Sequence, residues 1–189
     1  VFGFITPFNF PAMVPLWFFP TALACGNTFV VKPSEQTPLC QVRIFELLEE
    51  AGFPPGVINL VNGDAEVANA MLDHDDIKGV SFVGSSKVAQ HIYRRASENG
   101  KRVQALGGAK NFAVVMPDAV MDKTVSALID SAFGNAGERC LATAIVLAVG
   151  SAYYEIKDSL VEEAKKMKIG NGLDDSVTMG PVISGAHKE

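Results

Sequence analysis

The octapeptide FGNAGERC, residues 133–140, ends in a cysteine preceded by two glycines, an asparagine, a glutamate and an arginine. Such a turn can bring a thiol to a partly open place. A reactive cysteine works as its thiolate, which positive potential favours, and Arg139 sets a cation beside Cys140. The plain alternative is a sulfur that only fills space. Cys25, in an apolar run, and Cys40, among helix residues, read as packing thiols. Three cysteines without metal-ligand spacing suit a reducing compartment.

Three further stretches could carry chemistry. In TPFNFP (6–11), Asn9 lies between two aromatics just before Pro11. It is either ordinary turn chemistry or a fixed amide donor to an oxyanion, worth about 3–4 kcal/mol of barrier when preorganised. In VVKPSE (30–35), Lys32 at a strand end can reach a ribose or phosphate, and Glu35 can accept from ribose hydroxyls. The alternative is a solvated loop with Ser34 as a helix N-cap. In FVGSSKVA (82–89), a glycine and two hydroxyls fall where a strand becomes a helix, a place that favours phosphate. Ser85 and Ser86 are also good caps without any ligand, and Ala89 stands at the last glycine position of GxGxxG, so this signal is weak alone. His74, His91 and His187 show no metal-ligand spacing, and no metal is expected.

The elements that must position these residues follow from short apolar runs alternating with helical patterns. Strands are expected at VFGFI (1–5), TFVVK (28–32), VINLV (57–61), GVSFVG (79–84) and RVQAL (102–106). A proline-broken helix should follow the first strand, and the apolar run Phe10–Cys25 reads as a buried segment lining a core or pocket. Residues 37–51 place Leu39, Val42, Phe45, Leu47 and Leu48 on one face of an amphipathic helix. Helices are also expected around 64–73 and after Ser85. This alternation implies an α/β fold with an open, doubly wound, Rossmann-like parallel sheet. The rhythm changes after Gly108: a strand at 112–116, a helix from about 122 to 136, a strand at 142–149 and a charged helix at 152–168 begin a second α/β domain. The boundary is placed at 108, giving domains 1–108 and 109–189.

The 189 residues are 48% hydrophobic and 20% charged with net charge −5, a globular composition without the basic stripe that nucleic acid or an anionic membrane requires. Prolines at 11, 15 and 20 interrupt the one long apolar run, so no membrane span is expected. VFGFI has no basic n-region and is not expected to be a signal peptide. Neither end carries a finished element, and a piece of a longer enzyme is expected.

In combination and order, TPFNFP, VVKPSE, SFVGSSKV, ALGGAKN, FGNAGERC and the tail IGNGLDDSVTMGPVIS (169–184) closely resemble consecutive motifs of the aldehyde dehydrogenase superfamily. The resemblance implies that Cys140 is the catalytic nucleophile and Asn9 the side-chain oxyanion donor, acting with the Cys140 backbone N–H. It implies NAD as cofactor, with Lys32 and Glu35 at the adenosine ribose, Ser85 at the pyrophosphate, Thr6 and Phe8 on the nicotinamide side, and Gln36 and Gly107 close to the cofactor. The superfamily's hydrolytic members carry a glutamate in a Glu-Leu-Gly-Gly-Lys motif. Aligning LGGAK (106–110) on that motif by the glycine and lysine puts Leu106 where the glutamate belongs, and a leucine cannot be a general base. PFNFP, GAKN and GERC are similar to the methylmalonate-semialdehyde dehydrogenase branch, in which CoA takes the acyl group and the arginine beside the cysteine, here Arg139, binds the substrate carboxylate. That branch implies a small semialdehyde substrate, valine or inositol catabolism, a homo-oligomer built as a dimer of dimers, and a bacterial cytoplasm or mitochondrial matrix. Two other readings remain: a non-acylating aldehyde dehydrogenase, for which Glu138 is the nearest substitute base, and a non-catalytic nucleotide-binding module.

Overall fold

The fold is that of a computed structural model in which residues 1–188 are described; Glu189, the last residue of the second expected domain, lies outside them. The chain divides into two compact units, Val1–Gly108 and a second beginning at Ala109.

In the first unit five short apolar runs pair as parallel strands: β1 (Phe2–Ile5), β2 (Phe29–Lys32), β3 (Ile58–Leu60), β4 (Gly79–Val83) and β5 (Arg102–Leu106). The order across the sheet is β3-β2-β1-β4-β5. Ile5 pairs with Lys32 on one side and Phe82 on the other, so β1 is central. Helices α1 (Pro15–Ala24) and α2 (Pro38–Glu50) cover one face through Phe19, Phe45 and Leu48 against Phe4, Phe29 and Val31. Helices α3 (Ala65–Asp73) and α4 (Ser86–Glu98) cover the other, where Met71, Leu72, Ile92 and Ala96 meet Ile5, Val80 and Phe82. The sheet is therefore doubly wound. Phe29 and Leu72 are wholly buried, and such side chains stabilise by roughly 1.5–3 kcal/mol each.

Local signals set the helix starts. The Asp64 carboxylate accepts from the Glu66 N–H at 2.9 Å and opens α3. Pro38 opens α2 at its first position, where the N–H that proline lacks would have had no helical acceptor in any case. Ser34 is thus not the cap of that helix; its hydroxyl accepts from the Gln36 N–H at 3.3 Å in the turn before it.

Two side-chain expectations are corrected. On α2, Leu39 and Leu47 are exposed, and the wholly buried residue is Gln41. The periodicity identified the helix but misjudged its inward face, because the first turn packs on polar loop backbone. Cys25 is exposed: it follows α1 at the helix end, where the apolar run ceases to be core. The expectation of a buried run holds only for Val14, Pro15 and Phe19; Met13, Leu16 and Trp17 are exposed like Cys25, because α1 turns only one face to the sheet. Trp17, Phe18 and Ala22 line a cavity of about 300 Å³.

In the second unit β6 (Asn111–Val115) and β7 (Thr143–Ala148) pair in parallel. Helices α5 (Met121–Phe133) and α6 (Ala152–Lys165) pack on one face around Val115, Val125, Leu128 and Ile156. The outward side chains Phe112, Val114 and Leu147 are apolar and exposed. The helix expected to reach 136 stops at Phe133, and a tight turn, Gly134–Gly137, follows. A bridge between Ile169 and Met179 organises the tail before α7 (Gly185–Lys188). No helix among the described residues is long and apolar enough to cross a membrane.

Candidate functional site

The strand order reverses direction between β1 and β4, and in open α/β sheets the crevice outside the carboxyl ends at that point takes the ligand. The loop 6–11 leaves β1 there, and Gly84-Ser85 leaves β4 beside it. Thr6 is nearly buried, tied by its N–H to the Lys32 carbonyl at 3.1 Å. Its hydroxyl has no partner among the described residues. Asn9 and Phe8 are half-buried. The backbone on either side of Asn9 is held from α2: the Thr37 hydroxyl donates to the Phe8 carbonyl at 3.4 Å, and the Gln41 amide donates to the Pro11 carbonyl.

Lys32 ends β2 almost wholly buried, and its ammonium donates to the Gly63 carbonyl at 2.7 Å and to Glu35 at 3.1 Å. The solvated-loop alternative fails for Lys32, since a buried ammonium needs such partners. The Glu35 side chain remains more than half exposed. A hydrogen bond from its own backbone N–H, reinforced by Lys32, holds its carboxyl below the usual carboxylate range. Glu35 thus stands as an ionised acceptor, with the exposed Gln36 next to it.

Ser85 caps α4, its hydroxyl accepting from the Val88 N–H at 3.4 Å and its carbonyl from Ala89 at 2.8 Å. The N–H groups of Ser86 and Lys87 need no helical acceptor and are available to an anion. Gly107 passes close by: a Cβ there would lie 3.1 Å from the Ser86 Cα and from its hydroxyl. The lack of a side chain lets the Ser86 hydroxyl accept from the Gly108 N–H at 3.0 Å, lashing the end of β5 to the start of α4. Ala89, in place of the third glycine, is buried and small enough for the same close approach.

In the second unit, Cys140 is half-buried on a turn closed by the Ala142 N–H on the Arg139 carbonyl at 3.0 Å. Before it, Asn135 and Ala136 have φ of 55° and 54°, followed by Gly137 at 75°. Two non-glycine residues in the left-handed region cost roughly 1–2 kcal/mol each. The Arg139 guanidinium lies over Gly134, where a Cβ would come within 3.5 Å of it. The Glu138 carboxylate accepts from the Ile183 N–H at 3.2 Å and ties the tail to this turn. Leu106, the last residue of β5, is partly exposed at 41% and offers no proton acceptor. Among the described residues no group of three or more His, Cys, Asp or Glu is placed to hold a metal.

Three supporting residues escaped the sequence reading: Gln41, Ser86 as a partner for Gly108, and Asn111, whose amide donates to the Cys140 and Ala142 carbonyls. Asn is disfavoured within strands, so its place at the head of β6, together with its place at the end of ALGGAKN, was the signal for Asn111.

The aldehyde dehydrogenase family profile matches residues 1–189. The chain belongs to the aldehyde dehydrogenase family. It is 55% identical over its whole length to a malonate-semialdehyde dehydrogenase of Halalkalibacterium halodurans, of which it covers 39%. It superposes with a TM-score of 0.96 and 53% identity on the crystal structure of methylmalonate-semialdehyde dehydrogenase from Oceanimonas doudoroffii, over 99% of this chain and 38% of that one. A crystal structure from Sinorhizobium meliloti 1021, assigned as a methylmalonate-semialdehyde dehydrogenase and complexed with NAD, matches with a TM-score of 0.95 and 46% identity over 98% of this chain and 38% of its own. The chain thus spans about two fifths of the length of the relatives it matches. The doubly wound parallel sheet is the fold it shares with those structures.

Proposed function

We propose that the protein carrying this chain is an NAD-dependent, CoA-acylating dehydrogenase of malonate or methylmalonate semialdehyde. The observation that carries the reading is the presence, at 55% identity to a malonate-semialdehyde dehydrogenase, of a thiol on a held turn together with apolar residues, Ala105 and Leu106, at the two positions where the glutamate of hydrolytic relatives could align. The first unit fits a dinucleotide: helix-start N–H groups at Ser86 and Lys87, an ionised acceptor at Glu35, a buried ammonium at Lys32, a glycine at 107 and an unpartnered hydroxyl at Thr6. Ser85 and the α4 N-terminus would hold the pyrophosphate, Lys32 and Glu35 the adenosine ribose, and Thr6 and Phe8 would face the nicotinamide side, with Gln36 and Gly107 near the cofactor. NAD, when bound, supplies the hydride acceptor.

The Cys140 thiolate adds to the aldehyde carbon, dividing a hard oxidation into two easier steps. The Asn9 amide and the Cys140 N–H donate to the resulting oxyanion, and Arg139 binds the substrate carboxylate. Loss of hydride from the same carbon leaves a thioester on Cys140. The carboxylate leaves as carbon dioxide, and its electron pair takes up a proton. The CoA thiol then attacks the thioester carbonyl, releasing propionyl-CoA or acetyl-CoA and freeing the Cys140 sulfur. Leu106 offers no base to activate water, which favours a thiol as acceptor; Glu138, one of whose carboxylate oxygens accepts from Ile183, is the substitute base that the non-acylating reading would need. A homo-oligomer in a bacterial cytoplasm or mitochondrial matrix belongs to the same proposal.

The test supplies the full-length enzyme with NAD and methylmalonate semialdehyde, with and without CoA. Propionyl-CoA formed only when CoA is present is the expected result. Equal turnover to free acid without CoA would overturn the acylating reading in favour of an ordinary aldehyde dehydrogenase. NAD binding without turnover of any aldehyde would leave a nucleotide-binding module.

A further inference from the structure

One side chain ties the Cys140 turn to the neighbouring strand. Asn111 Nδ2 donates to the Cys140 carbonyl at 2.8 Å and to the Ala142 carbonyl at 3.1 Å. The Arg139 carbonyl accepts from the Ala142 N–H. The carbonyls of residues 139, 140 and 142 are therefore all fixed. In a trans peptide the N–H points opposite to the preceding carbonyl, so the bond at Arg139 also sets the direction of the Cys140 N–H, away from Ala142. The strands slip at this point: Asn111 pairs with Thr143 but Phe112 with Ile145, which leaves Ala144 as the extra residue of a bulge. Bulges re-aim backbone and cluster beside functional sites. Both amide hydrogens of Asn111 are used, and no similar side chain of that length offers two donors: aspartate would set an acceptor against two acceptors.

We infer that Asn111 is a positioning residue for Cys140, clamping the peptide groups on both sides of the Leu141-Ala142 pair so that the Cys140 sulfur and N–H are presented together. The inference rests on the proposed role of Cys140 as nucleophile. Asn111 itself touches no reacting atom.

The experiment compares full-length wild type, Asn111→Asp and Asn111→Ala by kcat, KM for NAD, and the rate of iodoacetamide labelling at Cys140 across pH. A displacement of about 1 Å costs about 10²-fold, so a kcat loss of about that size is expected in both variants, with KM for NAD unchanged. In Asn111→Asp the loss, taken as a ratio to wild type at each pH, shrinks as pH falls, because a protonated carboxyl regains one donor. In Asn111→Ala the ratio is flat. Wild-type kcat and labelling in both variants, or a lowered Tm with unaltered kcat, would overturn the inference. If neither variant folds, Asn111 is a folding residue and the inference is likewise overturned. Cys140→Ser separates the two levels: turnover retained in that variant defeats the proposed function, whereas an inactive Cys140→Ser beside a fully active Asn111→Asp defeats only the positioning role.

Discussion

Gly107→Ala is the sharpest perturbation of the nucleotide edge. Gly107 does not lie in the left-handed region, so alanine brings no backbone strain there, and its effect is steric alone. The added Cβ would stand 3.1 Å from the Ser86 Cα, a backbone atom that cannot swing aside. Comfortable carbon contacts begin at about 3.5–4.0 Å, so the first turn of α4 must retreat by roughly half an ångström or more. Overpacking of this kind costs about 1–3 kcal/mol, and the retreat also lengthens the 3.0 Å bond from the Gly108 N–H to the Ser86 hydroxyl. The same turn would receive the pyrophosphate, so NAD affinity should fall about tenfold, equivalent to about 1.4 kcal/mol. The control is Gly108→Ala, whose Cβ would meet only the Ser86 hydroxyl, at 3.4 Å, and should cost less in both respects. Urea titration and NAD titration of the full-length enzyme read the two quantities. An unchanged midpoint and Kd in Gly107→Ala, or a larger effect from Gly108→Ala, would refute the account of why a glycine stands there.

Three other outcomes follow from groups off the ligand edge or beside it. Lys101 is buried with its ammonium on the His74 and Ile77 carbonyls at 2.5 and 2.6 Å; Lys101→Met leaves both unpaired and should cost about 2 kcal/mol or more by chemical denaturation. Burial also pulls the Lys101 ammonium below its usual value, so between the folded and unfolded values the unfolded chain holds more protons and stability rises with pH, a slope that Lys101→Met should abolish. The lowered Glu35 carboxyl contributes stability that is complete above the ordinary carboxylate value and is lost as pH falls through the folded one; because the side chain is mostly exposed, Glu35→Gln should cost only about 0.5 kcal/mol at neutral pH, a difference that vanishes on acidification. Gln41→Met removes an unpartnered buried oxygen as it strands the Pro11 carbonyl, and the two effects offset, so the denaturation midpoint should move by less than about 1 kcal/mol.

The sheet was legible because its strands are short apolar runs separated by helices, a pattern that one buried parallel sheet produces almost alone. Helix edges were legible where a single residue type decides them, as at Asp64 and Ser85. The inward face of α2 was not. Leu39 is 78% exposed while Gln41 is wholly buried, because the carbonyls of a loop some thirty residues earlier, and not a hydrophobic wall, are what its first turn meets. Cys140 could be singled out from its neighbours in the chain, but the group that fixes its turn, Asn111, comes 29 residues before it. Hydrogen bonds between distant segments leave no periodicity to read.

The cysteine turn shows how such distant bonds sustain a conformation that local preference opposes. Asn135 and Ala136 in left-handed backbone cost together roughly 2–4 kcal/mol. Nothing in FGNAGERC itself supplies that amount. Around it, Asn111 contributes two hydrogen bonds, the Ser131 hydroxyl accepts from the Thr143 N–H at 3.2 Å and meets the Thr143 hydroxyl at 2.9 Å, and Glu138 accepts from Ile183. At a net of about 0.5–1.5 kcal/mol each, these five bonds match the strain. They come from β6, α5, β7 and the tail. The turn's shape is therefore a property of the folded unit rather than of the peptide, and it persists only while those four segments are in place. Strain held in this way is found where geometry is used, which is the physical reason to look for chemistry at Cys140 rather than at Cys25 or Cys40.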